Sequence, residues 1–133
     1  DFRVEGVDSA VKAELENQLA QLTAQRLSEA KLDLVERIRE KVATLSSKVS
    51  AMGENSRFHT ATLENIREAC EEVRNVNFDG DPILNTLADS VEKTISSLSA
   101  DSIRENESAR IEARETAERA LKEIADTMAG FMC

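Results

Sequence analysis

Residues 8–52 read DSAVKAELENQLAQLTAQRLSEAKLDLVERIREKVATLSSKVSAM, with no proline or glycine anywhere in the run. Apolar residues fall at Val11, Leu15, Leu19, Leu22, Leu27, Ala30, Leu34, Ile38, Val42, Leu45, Val49 and Met52. Gaps of three and four predominate, as an amphipathic helix requires. At 1.5 Å per residue the helix would be roughly 65 Å long, enough to serve as a spine for the remaining chain. Its second half, Ile38 to Met52, steps by four, three, four and three, a heptad seam. Its first half contains a gap of five, from Leu22 to Leu27. The spacing over the whole run averages about 3.7 residues, above the 3.5 that drives a left-handed supercoil. The second half is therefore expected to form a coiled coil, and the first half to pack against a broader helical layer.

Composition agrees with an all-α protein. Aromatic residues are 3% of the chain, all Phe, so the core must be built from Ala, Leu, Ile and Val, which suits close helix packing rather than a sheet. A 32% share of charged residues supplies a solvated face for each helix. The net charge of −9 argues against a nucleic-acid binder and against an anionic membrane surface. No apolar run reaches the ~20 residues of a membrane span, and no signal peptide is evident. Cys70 and Cys133 do not make a disulfide framework, which points to a reducing cytoplasm. The chain opens on Asp rather than Met, so a fragment of a longer protein is expected.

Outward from the spine, residues 1–7 form a short lead-in, and residues 8–133 form one helical domain. Gly53-Glu54-Asn55 ends the first helix, and Ser56 is placed to cap the second. That second helix carries Phe58, Leu63, Ile66, Cys70, Val73 and Val76. Asp81-Pro82 is a strong start signal for a third helix, with Asp81 at N-cap and Pro82 at the first helical position. Its apolar positions are Leu84, Leu87, Val91, Ile95 and Leu98. Ser102 to Glu105 reads as a capping box opening a fourth helix. On it Ala109, Ala113, Ala117, Ala120, Ile124 and Met128 form a stripe, widened by Leu121. Arg114–Glu118, Glu115–Arg119, Glu118–Lys122 and Arg119–Glu123 are i,i+4 pairs on its outer face. The expected architecture is an elongated antiparallel helical hairpin or bundle with coiled-coil character. It has about four helices, at 8–52, 56–76, 82–98 and 103–129, the second and third running back along the spine as one broken partner.

Chemistry is sparse. Asn75, Asn77, Asp79 and Gly80 match the first half of a calcium loop, but Pro82 and Thr86 stand where an apolar residue and a bidentate Glu are required. A Gly-enabled turn is the better reading. His59 is the only histidine, and Cys70 lies eleven residues on, roughly 16 Å along one helix, too far for a nucleophile pair. Zinc needs three or four N/S ligands. Glu64, Glu68 and Glu72 share a helical face, but a di-metal carboxylate bundle also needs Glu-x-x-His motifs, and none exists. No phosphate loop, dinucleotide fingerprint or nucleophile elbow is present. No catalytic, cofactor-binding or metal-ligating residue is assigned, and no cofactor is expected.

Three segments occur in a familiar order. They are TLENIREACEEV (residues 62–73), NFDGDPILNTLADSVEK (77–93) and the acidic SADSIRENESARIEARETAERALKEI (99–124), closed by a short apolar tail. From about Phe58 to Cys133 the chain resembles the C-terminal part of a domain-of-unknown-function family of helical proteins from phages and proteobacteria. Members of that family are often encoded near a MoxR-type AAA+ ATPase and a von Willebrand A-type protein. The resemblance implies a phage or bacterial cytoplasmic setting and an AAA+ ATPase as partner. It supplies no catalytic residue.

The sequence thus supports a non-enzymatic helical interaction and oligomerisation module. Its expected interface is the seam Ile38, Val42, Leu45, Val49 and Met52 together with the stripe Ala109, Ala113, Ala117, Ala120, Ile124 and Met128. A homo-oligomer follows, with a dimer favoured and no membrane contact. A structural component of phage assembly, or an accessory protein binding nucleic acid through Arg104, Arg110 and Arg114, is the alternative.

Overall fold

The computed structural model describes residues 2–52, 57–77 and 79–132, with side-chain surroundings from residue 8 onward. Five α-helices and no strand are found among the described residues: α1 Phe2–Ser50, α2 Ala61–Val76, α3 Pro82–Ser96, α4 Ala100–Glu105 and α5 Glu107–Met132. The protein is an all-α bundle.

Each long helix buries one stripe at helical spacing. On α2 the buried apolar positions are Leu63, Ile66, Ala69, Cys70 and Val73. On α3 they are Leu84, Leu87, Ala88, Val91 and Ile95. α5 contributes Ile124 and the small residues Ala113, Thr116, Ala117 and Ala120, which let it approach closely the helix with which it packs most, α1. From α1 come Leu34, Val35, Ile38, Val42, Leu45 and Val49. All of these apolar residues belong to one continuous core. Phe58, ahead of α2, closes one end of it at 2% exposure.

Ion pairs give the helix directions. Arg37 of α1 meets Glu72 near the end of α2, so α2 runs back along α1. Arg74 of α2 bridges Asp89 at 3.2 Å and Glu92 at 2.5 Å on α3, so α3 turns back again. Ser90 of α3 donates to Glu123 of α5 at 2.9 Å, and α5 returns antiparallel to both α3 and α1. The four long helices thus form an up-down-up-down bundle, with α4 as a short link at one end.

Several boundaries differ from the sequence reading. Helix α1 begins at Phe2, so the expected lead-in over residues 1–7 is helical from residue 2. The expected spine end at Gly53-Glu54-Asn55 and the Ser56 cap lie outside the described residues, and α2 opens at Ala61. The second and third helices are not one broken partner but a hairpin folded on itself. The expected helix over 103–129 is two helices. Ser99 caps α4, accepting from the amide of Ser102, and Asn106 takes an extended conformation that breaks the run. Its Oδ1 accepts from the Ser108 amide at 2.9 Å, making Asn106 the cap of α5. Arg110 then reaches back to the Ile103 carbonyl at 2.9 Å, satisfying an acceptor that the break sets free.

The expected interface is also corrected. Ile38, Val42, Leu45, Ala113, Ala117, Ala120 and Ile124 are at or near zero exposure within a single chain, Val49 is buried, and Ala109, Met52 and Met128 are half-buried. The seam and the stripe face inward because α1 and α5 cover one another. They are core.

Candidate interaction surface

Residues 8–26 of α1 are all exposed, and none touches the bundle core. The first half of the spine, expected to lie on a helical layer, instead projects beyond it. Its apolar residues remain in water: Val11 is 50% exposed, Leu15 59%, Leu19 64% and Leu22 44%. At ~100° per residue these four occupy one sector about 80° wide, over roughly 17 Å of axis. Scattered exposed leucines are ordinary, whereas four in one stripe on a helix without a partner are not.

The five-residue gap between Leu22 and Leu27 explains the geometry. A gap of five turns the helix by about 140° relative to the preceding stripe. Leu27 therefore faces the side that Leu34, Ile38, Val42, Leu45 and Val49 take into the core, while Val11 to Leu22 face nearly the opposite way. One continuous helix thus carries two apolar faces, one buried and one free. Lys31 stands where the bundle begins. Its ammonium lies 2.7 Å from Asp79 Oδ2 and 2.8 Å from Asp81 Oδ2, and those contacts raise its pKa.

The other candidates from the sequence resolve as structural features. The Asn77–Asp81 turn holds the Lys31 ammonium between its carboxylates. Gly80 takes a φ of 65°, and the Gly80 amide donates to the Asn77 carbonyl at 3.1 Å. Asn77 also donates to the Asp81 carbonyl at 2.8 Å and accepts from the Asp81 amide at 3.0 Å. Among the described residues no cluster of His, Cys, Asp and Glu has the arrangement of a metal site. Cys70 is fully buried, and loss of solvation pushes its thiol up to about 12, so it packs as a small hydrophobe. His59 is exposed, as are Glu64, Glu68 and Glu72, the last paired with Arg37. Cys133 lies outside the described residues.

Two of the three arginines of the expected nucleic-acid patch are engaged internally. Arg104 donates to the Phe58 carbonyl at 2.6 Å and to Thr60 Oγ1 at 2.9 Å, fastening α4 to the start of α2. Arg110 holds the carbonyls of Ile103 and Arg104. Arg114 stands 3.9 Å from Glu118, the one expected i,i+4 pair within ion-pair distance. No described helix is long and apolar enough to cross a membrane.

The spacing placed Val11, Leu15, Leu19 and Leu22 on the spine and did not single them out as an exposed stripe. The gap of five was the available signal. Comparison with protein-family models, with curated proteins and with solved structures finds no match for the chain.

Proposed function

We propose that this chain is a non-enzymatic protein–protein interaction module of a phage or bacterial cytoplasm. The bundle is its anchor, and the projecting half of α1 is its working surface. The observation that carries this reading is the exposed stripe of Val11, Leu15, Leu19 and Leu22 on a stretch of helix that no other described part of the bundle covers. Helices in water owe most of their stability to the packing of an apolar face, so residues 8–26 gain that stability only from a partner helix. The mechanism is burial of the stripe against such a helix in coiled-coil fashion, with the flanking charges choosing register. The resemblance to phage and proteobacterial helical proteins adds a sharper version, in which a MoxR-type AAA+ ATPase is a partner and the chain its adaptor.

The test is site-specific photo-crosslinking in cells, with the reactive side chain at position 15 or 19 and, as control, at exposed position 118 of α5. Covalent adducts at 15 and 19 and none at 118 are expected. An adduct containing the ATPase would establish the adaptor version. No adduct at either α1 position would overturn the reading.

A further inference from the structure

We infer that the projecting half of α1 pairs with the same segment of a second copy, antiparallel, about a two-fold axis at residue 17. This rests on the interaction-module reading and names the partner of that surface. The stripe is self-complementary about one point. An antiparallel pair centred on Asn17 sets Leu15 of one copy level with Leu19 of the other, and Val11 within about one residue's rise, ~1.5 Å, of Leu22. The same axis sets Asp8 of each copy level with Arg26 of the other, an opposite-charge contact at both ends. On the helix Asp8 and Arg26 share one angular position, within the sector of the stripe and just beyond its two ends. A parallel, in-register pair would instead place Asp8 on Asp8, Arg26 on Arg26 and Glu29 on Glu29.

Residues 23–26 beyond the stripe are still exposed, so the stripe of each copy is paired before its bundle begins. The stripe faces away from the core side of α1, and the outer positions Glu29 and Asp33, which continue its direction, are exposed. The partner helix therefore has an open path beside the bundle. The contact is isologous and closes on itself, giving a dimer rather than a filament. The four side chains expose on the order of 400 Å² per copy, about 800 Å² for the pair. The stems of Lys12, Gln18 and Arg26 carry it toward the ~1,200 Å² of a small specific interface, which fits a Kd on the order of micromolar.

Sedimentation equilibrium of the full chain, from about 1 µM to about 1 mM, tests the pairing. A monomer–dimer equilibrium is expected. The double variant L15D/L19D should be monomeric throughout while its bundle melts as in the parent, because neither residue touches the core. D8R and R26D should each weaken the dimer about 3- to 30-fold. The combined D8R/R26D variant should restore it to within about threefold of the parent. A chain that stays monomeric at every concentration overturns the inference, as does a dimer indifferent to L15D/L19D or a D8R/R26D variant that does not recover. A monomer that still crosslinks through positions 15 and 19 to a different protein sinks the self-pairing alone. A monomer with no such adduct sinks the interaction reading with it.

Discussion

The ammonium of Lys31 lies 2.8 Å from the carboxylate of Asp81, the residue that caps α3 through the amide of Ile83. Fifty residues apart in the chain, the two mark the boundary between the projecting and the packed half of α1. One carboxylate thus serves both the start of α3 and the fastening of the spine. Replacing Lys31 with Met is expected to cost about 1 kcal/mol at neutral pH, read as a fall of several degrees in melting temperature.

The same pair gives a pH signature. The hydrogen bond from Lys31 holds the Asp81 carboxyl below its usual range, and Lys31 is itself held high by Asp79 and Asp81. A depressed carboxyl stabilises the fold above its unfolded pKa of about 3.9, and that contribution is lost as pH falls through the folded value. A raised lysine stabilises the fold below about 10.4, and loses its contribution as pH rises through the folded value. The stability difference between the parent and Lys31→Met should be flat from about pH 5 to about pH 9.5 and close on either side. A gap that persists unchanged at pH 3 would contradict the assignment.

Gly80 offers a cleaner backbone test. Its φ is 65°, and a Cβ added there would meet nothing within 4 Å. Gly80→Ala should therefore cost only the left-handed backbone term, about 1 kcal/mol, seen as a lower urea midpoint with an unchanged slope. A neutral effect would mean that the turn relaxes.

Val42 distinguishes core from interface. It has no exposure within one chain, so Val42→Asp buries an unpaired carboxylate and should destabilise the bundle by more than ~3 kcal/mol. Circular dichroism should report loss of helix. A variant that keeps its helicity and only dissociates an oligomer would return the Ile38–Met52 seam to the interface.

Cys70 should be chemically silent while the bundle is folded. With its thiol pushed up to about 12 by burial, little thiolate forms at pH 8. In a Cys133→Ser background, alkylation at pH 8 should proceed at the rate of unfolding rather than of free thiol chemistry. Labelling as fast as in denaturant would show that α2 opens locally.

The bundle was largely legible from the chain because each helix carries its instructions locally. Asp81-Pro82 set the start of α3, the spacing from Leu63 to Val73 set the buried face of α2, and Ala113 to Ile124 that of α5. The break between α4 and α5 was hidden, since Ser102 to Glu105 satisfies a capping pattern as well as Ser99 and Asn106 do. Tertiary hydrogen bonds from Arg104 and Arg110 supported the second choice. The exposed stripe was missed for a different reason. A stripe of correct spacing says that a face will be buried, not against what, and only the length of α5 and α2 relative to α1 decides which half stays bare.

Amide hydrogen exchange over residues 8–26, compared with 34–50, tests the central claim most directly. In the parent chain at high concentration, or with its partner present, residues 8–26 should be slowed. In the L15D/L19D variant they should exchange within about a minute while residues 34–50 keep their protection. If residues 8–26 of a monomeric L15D/L19D variant remain as protected as 34–50, that half of α1 belongs to the bundle, and the stripe is not the surface through which this protein works.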